Sequence, residues 1–159
     1  MRLHLIRHAA AAPRAAGVDD ASRPLTPRGR ARFRLAALGL RRLGVRFDRV
    51  LHSPKRRAVE TADLLARLVD GETAATMSLA RAPGAALLAE VRGGRVALVG
   101  HEPMLSSLAA WLVTGDRRRG AMFEIKKGAA LVLDGEPRPG GMRLVASLPP
   151  KTLRRIARR

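Results

Sequence analysis

Three apolar runs, each ending where a helix start is signalled, constrain this chain more than any other feature. Leu3 to Ile6 leads into Arg7-His8, Arg49 to His52 into Ser53-Pro54, and Arg95 to Gly100 into His101-Glu102-Pro103. Each run is short enough for a strand, and the last is nearly continuous Val, Ala and Leu, as in a strand buried on both faces. Between the runs lie helical periodicities. Thr26-Pro27 reads as a cap followed by proline at the first helical position, and Phe33, Ala36, Ala37, Leu40 and Leu43 form a buried stripe that Gly44 closes. Ser53-Pro54 repeats the start signal ahead of a second stripe, Ala58, Thr61, Ala62, Leu65, Leu68 and Val69. Ala85 to Val91 reads as a short helix, and Met104, Leu105, Leu108, Trp111 and Leu112 make a longer one that Gly115 ends. Strand–helix alternation of this kind predicts an α/β domain, a parallel sheet with helices on both faces.

The remaining segments carry weaker patterns. Residues 14 to 23 read as a mobile loop and 70 to 83 as weakly patterned, with Leu79 in a minor strand. Arg117 to Arg119 reads as a basic loop. Ala129 to Leu133 and Met142 to Ala146 read as strands joined by a Gly- and Pro-rich turn, and Pro149-Pro150 precedes a basic tail. No internal repeat or linker divides the chain, so residues 1–159 are expected to form one domain with a core of Leu, Val and Ala, there being three Phe, one Trp and no Tyr.

In a parallel sheet the C-terminal ends of the three strands share one edge, where ligands of open α/β sheets bind. Arg7, His8, the cations of Lys55-Arg56-Arg57 and His101 are therefore expected to converge there. Imidazole and guanidinium groups beside a bare Ala9-Ala10-Ala11 loop suit a phosphoryl group, with one histidine as nucleophile and the other steadying the transferring oxygens. Arg57 rather than Arg56 is assigned to the pocket, because Arg56 lies four residues before Glu60 and can form an outward ion pair. His52, Ala9 and Glu102 are candidate rim residues. His52 reads first as a strand-end histidine with a backbone partner, and Glu102 as facing solvent or capping the helix start. His4 reads as a satisfied core histidine. A metal site is not expected, since no Cys exists and no carboxylate neighbours His4 and His8.

Thirty-one Lys and Arg against 13 Asp and Glu leave a net charge of +18. Such an excess attracts polyanions. Neither aromatic platforms nor a reading-helix pattern accompanies it, so sequence-specific nucleic-acid recognition is not expected. Arg scattered on solvated faces is the other reading, and the two stay open. No run approaches the roughly 18 apolar residues of a membrane span. Neither a signal peptide nor a membrane partner is expected, and the lack of Cys fits a cytoplasmic location.

Arg7-His8, then Ser53-Pro54-x-x-Arg57-Ala58-x-x-Thr61-Ala62, then Gly100-His101 resembles the pattern of the histidine phosphatase superfamily. Length, Pro24-Leu25-Thr26-Pro27-x-Gly29 and His101-x-Pro103 make the chain similar to its short bacterial branch, the phosphohistidine phosphatase SixA group. The resemblance implies a three-layer αβα sandwich with a mostly parallel sheet, like phosphoglycerate mutase. It implies that His8 is phosphorylated during turnover while Arg7, Arg57 and His101 hold the phosphoryl oxygens, with no metal or organic cofactor. The expected substrate is phosphohistidine on a protein of the histidine phosphotransfer type, and phosphate or sulfate is expected in the site. A small phosphorylated metabolite, a phospho-Ser/Thr protein and a non-catalytic anion-binding module are the rival readings. Ala9 and Ala10 depart from the Gly and the polar residue common in relatives. No carboxylate is placed as a general acid: Glu102, Glu90, Asp19 and Asp20 are the candidates.

Overall fold

Buried apolar residues alternate along the first strand, and the alternation sorts two cores. A computed structural model describes residues 1–158. Strand β1 (Arg2–Arg7) turns Leu3 and Leu5 to one face of the sheet and Ile6 to the other. The chain continues through α1 (Pro27–Arg42), β2 (Phe47–His52), α2 (Arg56–Asp63), β3 (Val69–Ala75), α3 (Ala85–Glu90), β4 (Arg95–Gly100), α4 (Met104–Thr114), β5 (Ala130–Gly135), β6 (Met142–Leu148) and α5 (Pro150–Ile156). Leu87, Leu105, Leu108 and Leu112 of α3 and α4 cover one face with Leu3, Leu5, Leu51 and Leu98. Phe33, Leu40, Ala58, Ala62 and Leu153 of α1, α2 and α5 cover the other with Ile6, Val50, Ala97 and Val99. The result is a three-layer αβα sandwich around a six-stranded sheet in the order β3-β2-β4-β1-β5-β6.

The sheet is mixed rather than wholly parallel. β3, β2, β4 and β1 run parallel, and β5 is antiparallel to both β1 and β6. In the register Arg7 lies beside Gly100, and His52 beside Val99. The backbone pairing continues past the strands: His8 N–H donates to Gly100 O at 3.0 Å and Ser53 N–H to Val99 O at 3.0 Å. The ends of β1, β4 and β2 thus form one edge.

Several segments depart from the sequence reading. α2 begins at Arg56, with Lys55 at the cap position and no side-chain cap, and ends at Asp63. Its expected stripe is broken: Leu68 lies in a 3-10 turn, Ala66–Leu68, and Val69 opens β3. β3 itself occupies part of the weakly patterned region. It is an edge strand whose residues 70 to 73 are exposed, so no burial period marks it. Leu79 is buried in a 3-10 turn, Met77–Ala80, not in a strand. Leu43 is 48% exposed rather than part of the α1 stripe. The basic loop opens a 3-10 stretch, Arg117–Phe123, and the basic tail contains α5. α5 packs so tightly on α1 that a Cβ on Gly39 would fall 2.1 Å from the Leu153 carbonyl oxygen. Residues 14 to 23 carry a 3-10 turn, Asp20–Ser22, capped by the Asp19 side chain.

Candidate active site

His8 is the first residue beyond β1 and is 6% exposed. Its Nδ1 lies 2.7 Å from the carbonyl oxygen of Ala9. A carbonyl only accepts, so Nδ1 must carry the hydrogen, and the lone pair of the neutral ring sits on Nε2. Burial pulls the His8 pKa down to about 4, with the charges of Arg57, Arg7 and Lys127 acting in the same direction. The ring is therefore neutral at pH 7 and presents a free nitrogen lone pair.

His101 follows β4 and is 8% exposed, its ring centroid 5.0 Å from that of His8. Burial first, and then His8 and Arg57, hold its pKa at about 3. Neither ring nitrogen of His101 has a hydrogen-bond partner, and both are buried. Arg57 comes from the first turn of α2 and is 4% exposed, and its Nε is likewise buried without a partner. Arg7 donates from Nη1 to the Ile125 carbonyl at 2.8 Å and leaves a buried Nε unpartnered. Buried polar nitrogens are nearly always satisfied. Four such nitrogens, on His101, Arg57 and Arg7, lack a partner at this sheet edge, and an oxygen-rich group could satisfy them.

The loop carrying His8 is held from two sides. Ala9 N–H donates to Thr61 Oγ1 at 3.1 Å, and that hydroxyl donates to the Arg57 carbonyl at 2.6 Å, so α2 fixes both His8 and Arg57. From α1, Thr26 N–H donates to Ala10 O at 3.0 Å. A Cβ on Gly29 would meet that same oxygen at 2.1 Å, which only glycine permits.

Glu102 caps α4, not solvent-facing: Oε2 accepts from Ser106 N–H at 3.1 Å and Oε1 from Ile125 N–H at 2.8 Å. The backbone of Ile125 is thus held by Glu102 at its N–H and by Arg7 at its carbonyl. His52 is buried with Nδ1 3.0 Å from the Ser53 carbonyl, the backbone-partnered alternative. Ala9 is buried beside His8. His4 is buried as expected, edge-on to Phe47 with centroids 5.1 Å apart, but it is not satisfied, since its Nδ1 lacks a partner. Arg56 does pair outward with Glu60, at 2.8 Å.

Asp20 is the residue whose place the sequence did not reveal. Its carboxylate accepts from Arg57 Nη2 at 2.9 Å and pairs with Lys55 at 3.2 Å and Arg23 at 2.8 Å, while its carbonyl accepts from Arg57 Nη1 at 2.6 Å. The Arg57 guanidinium holds this carboxyl far below the usual carboxylate range. Among the described residues no cluster of three or more His, Cys, Asp or Glu is placed to hold a metal ion. Nor is any helix among them long and apolar enough to cross a membrane. Beside Arg7 a cleft of about 630 Å³ opens between Pro83, Met104, Arg117 and Arg118.

Residues 3–81 match the sequence model of the histidine phosphatase superfamily (branch 1). An uncharacterized protein of Picosynechococcus is 33% identical over 146 residues, covering 83% of this chain and 88% of that protein. The chain belongs to the histidine phosphatase superfamily. Within it, the fold is SixA-like. The structure of the protein histidine phosphatase SixA complexed with tungstate superposes with a TM-score of 0.78 at 26% identity, over 96% of this chain and 99% of that one. A SixA described as a putative phosphohistidine phosphatase from Agrobacterium tumefaciens superposes with a TM-score of 0.74 at 26% identity, over 92% and 96%. The mixed sheet and flanking helices of this superfamily member are the phosphoglycerate mutase-like architecture.

Proposed function

We propose that this histidine phosphatase removes the phosphoryl group from phosphohistidine borne on a protein, carrying it transiently on His8. The observation that supports this most is the pairing of a neutral His8, its Nε2 lone pair free, with the orphaned nitrogens of Arg7, Arg57 and His101. The arginines offset the charge that builds on the phosphoryl oxygens, and the neutral His101 ring donates a hydrogen bond to one of them. His8 Nε2 forms a bond to phosphorus while the substrate P–N bond breaks, and the substrate imidazole leaves as the neutral ring after taking up a proton. Water then attacks the phosphorus on His8, releasing inorganic phosphate and restoring the free lone pair. The likeness to SixA, whose solved form holds tungstate, agrees with an oxyanion at this position.

The carboxylates bear on the leaving group. An alkoxide departs badly without a general acid, whereas imidazole protonates near neutral pH by itself. Glu102 is engaged by two backbone N–H groups, Glu90 accepts from the Ser78 hydroxyl at 2.6 Å, Asp19 caps its turn and Asp20 is held ionised by Arg57. All four are thus engaged as hydrogen-bond acceptors within the protein. Matched P–N and P–O substrates test the proposal. A phosphoramidate or phosphohistidine peptide should be turned over with kcat/KM at least tenfold above that of an alkyl phosphate in the presence of EDTA. Equal or greater efficiency on the alkyl ester would favour a metabolite or phospho-Ser/Thr phosphatase and contradict it.

A further inference from the structure

The excess of positive charge is not spread evenly. Along the β2–β3 edge the arginines are paired: Arg46 with Asp70, Arg49 with Glu72, and Arg95 with Asp48. Around the His8 site Asp20 and Glu60 take up Arg23, Arg30, Lys55, Arg56 and Arg57. Opposite conditions hold where α5 lies on α1. Residues 27 to 47 and 137 to 159 contain no Asp or Glu at all.

Between those two helices is a cavity of about 270 Å³, lined by Arg32, Leu35, Lys151, Arg154, Arg155 and Arg158. Five of its six walls are cationic, none is acidic, and none of the five forms an ion pair among the described residues. A second hollow of about 240 Å³ shares Arg32 and Arg154 and runs to Lys127 and the Ala9-Ala10 loop. Partial burial, then the neighbouring Arg32 and Arg158, push the Arg154 pKa down from the ordinary arginine value. Arg32, Lys151, Arg155 and Arg158 are exposed and Arg154 is half-buried, so the hollow is open to solvent. Its five cations share one concavity with no acidic side chain among its walls, and a bound anion would relieve their mutual repulsion.

We propose that the α1–α5 cavity is a second anion site, separate from His8, that takes a compact multivalent phosphate of about the size of a triphosphate. Size argues for this class. The cavity has the volume of roughly nine liquid waters. An acidic helix, some 10–12 Å across with its side chains, is too wide to enter. Four of the five cations are arginines, whose planar forks match phosphate oxygens in pairs. No aromatic side chain lines the cavity to stack a base. The site does not depend on the reaction proposed for His8.

Calorimetric titration of the full chain with inorganic tripolyphosphate tests it, using Arg32→Ser/Arg154→Ser and, separately, Arg57→Ser. The expected result is at least tenfold weaker binding in the double variant, less than a twofold change in Arg57→Ser, and affinity that falls steeply with salt. Should the double variant melt at a much lower temperature than the parent, Lys151→Gln/Arg155→Gln replaces it with the same expected loss. Loss confined to Arg57→Ser would place the anion at His8 and overturn the proposal, as would unchanged binding in both. Tighter binding of oligothymidylate than of tripolyphosphate at equal salt, lost in the same double variant, would overturn the compact-anion assignment in favour of a nucleic-acid backbone.

Discussion

Arg57 gives both terminal nitrogens to Asp20, one to the carboxylate at 2.9 Å and one to the carbonyl at 2.6 Å. The carboxylate also meets Lys55. An internal anion is thus matched to the cations assigned to the phosphoryl group, and the two compete. Asp20→Asn keeps the shape of the contact and removes the charge. Tungstate or phosphate should then inhibit at several-fold lower concentration, a gain on the order of 1 kcal/mol. An inhibition constant that rises instead would mean that Asp20 serves to orient Arg57.

The depressed histidines set the pH dependence. His8 at about 4 and His101 at about 3 are neutral in the free enzyme throughout the physiological range. Only the neutral His8 has a lone pair to attack with, and protonation below its pKa removes it. The free-enzyme profile, kcat/KM corrected for the substrate's own titration, should therefore stay level from pH 8 down to 6 and fall to half near 4. A half-point near 6.5, the ordinary histidine value, would show that burial does not act on His8 as described.

His4 affects stability alone. Burial lowers its pKa to about 4 from 6.5, and its Nδ1 has no partner. A depressed folded-state pKa means that the unfolded chain binds the proton first. Stability is complete above pH 6.5 and drains away as pH falls towards 4, by about 3 kcal/mol for this residue. His4→Leu should abolish that part of the acid sensitivity and raise stability at neutral pH by about 1–3 kcal/mol, with kcat unchanged. Chemical denaturation at pH 5 and 7.5 measures both, and a destabilised variant would contradict the reading of an unsatisfied ring.

The site was legible where its residues follow directly from strand ends. Arg7, His8 and His101 needed only the recognition of β1 and β4, both marked by uninterrupted apolar runs. Arg57 could be separated from Arg56 because Glu60 claims its i–4 neighbour, a relation local to one helix. Asp20 was not legible: its partner Arg57 lies 37 positions away, beyond α1 and β2, and the loop that carries Asp20 shows no periodicity of its own. Thr61 reads as part of an apolar stripe, since a buried hydroxyl bonded to Ala9 N–H looks the same in sequence as a packed methyl. β3 escaped because an edge strand exposes its residues, and α5 because four cations surround the buried Leu153 and Ala157. The unsatisfied Nδ1 of His4 and the exposure of Leu43 also escaped, because both depend on neighbours that no local pattern encodes.

The central claim is that His8 accepts the phosphoryl group on Nε2, because Nδ1 is committed to the Ala9 carbonyl. Rapid acid-free quenching of the enzyme during turnover of a phosphoramidate, followed by 31P and 15N NMR of the trapped protein, reads this directly. The account predicts one acid-labile phosphoryl group on Nε2 of residue 8 and none in His8→Ala. Phosphate on Nδ1, or turnover at the parent rate in His8→Ala, would contradict it.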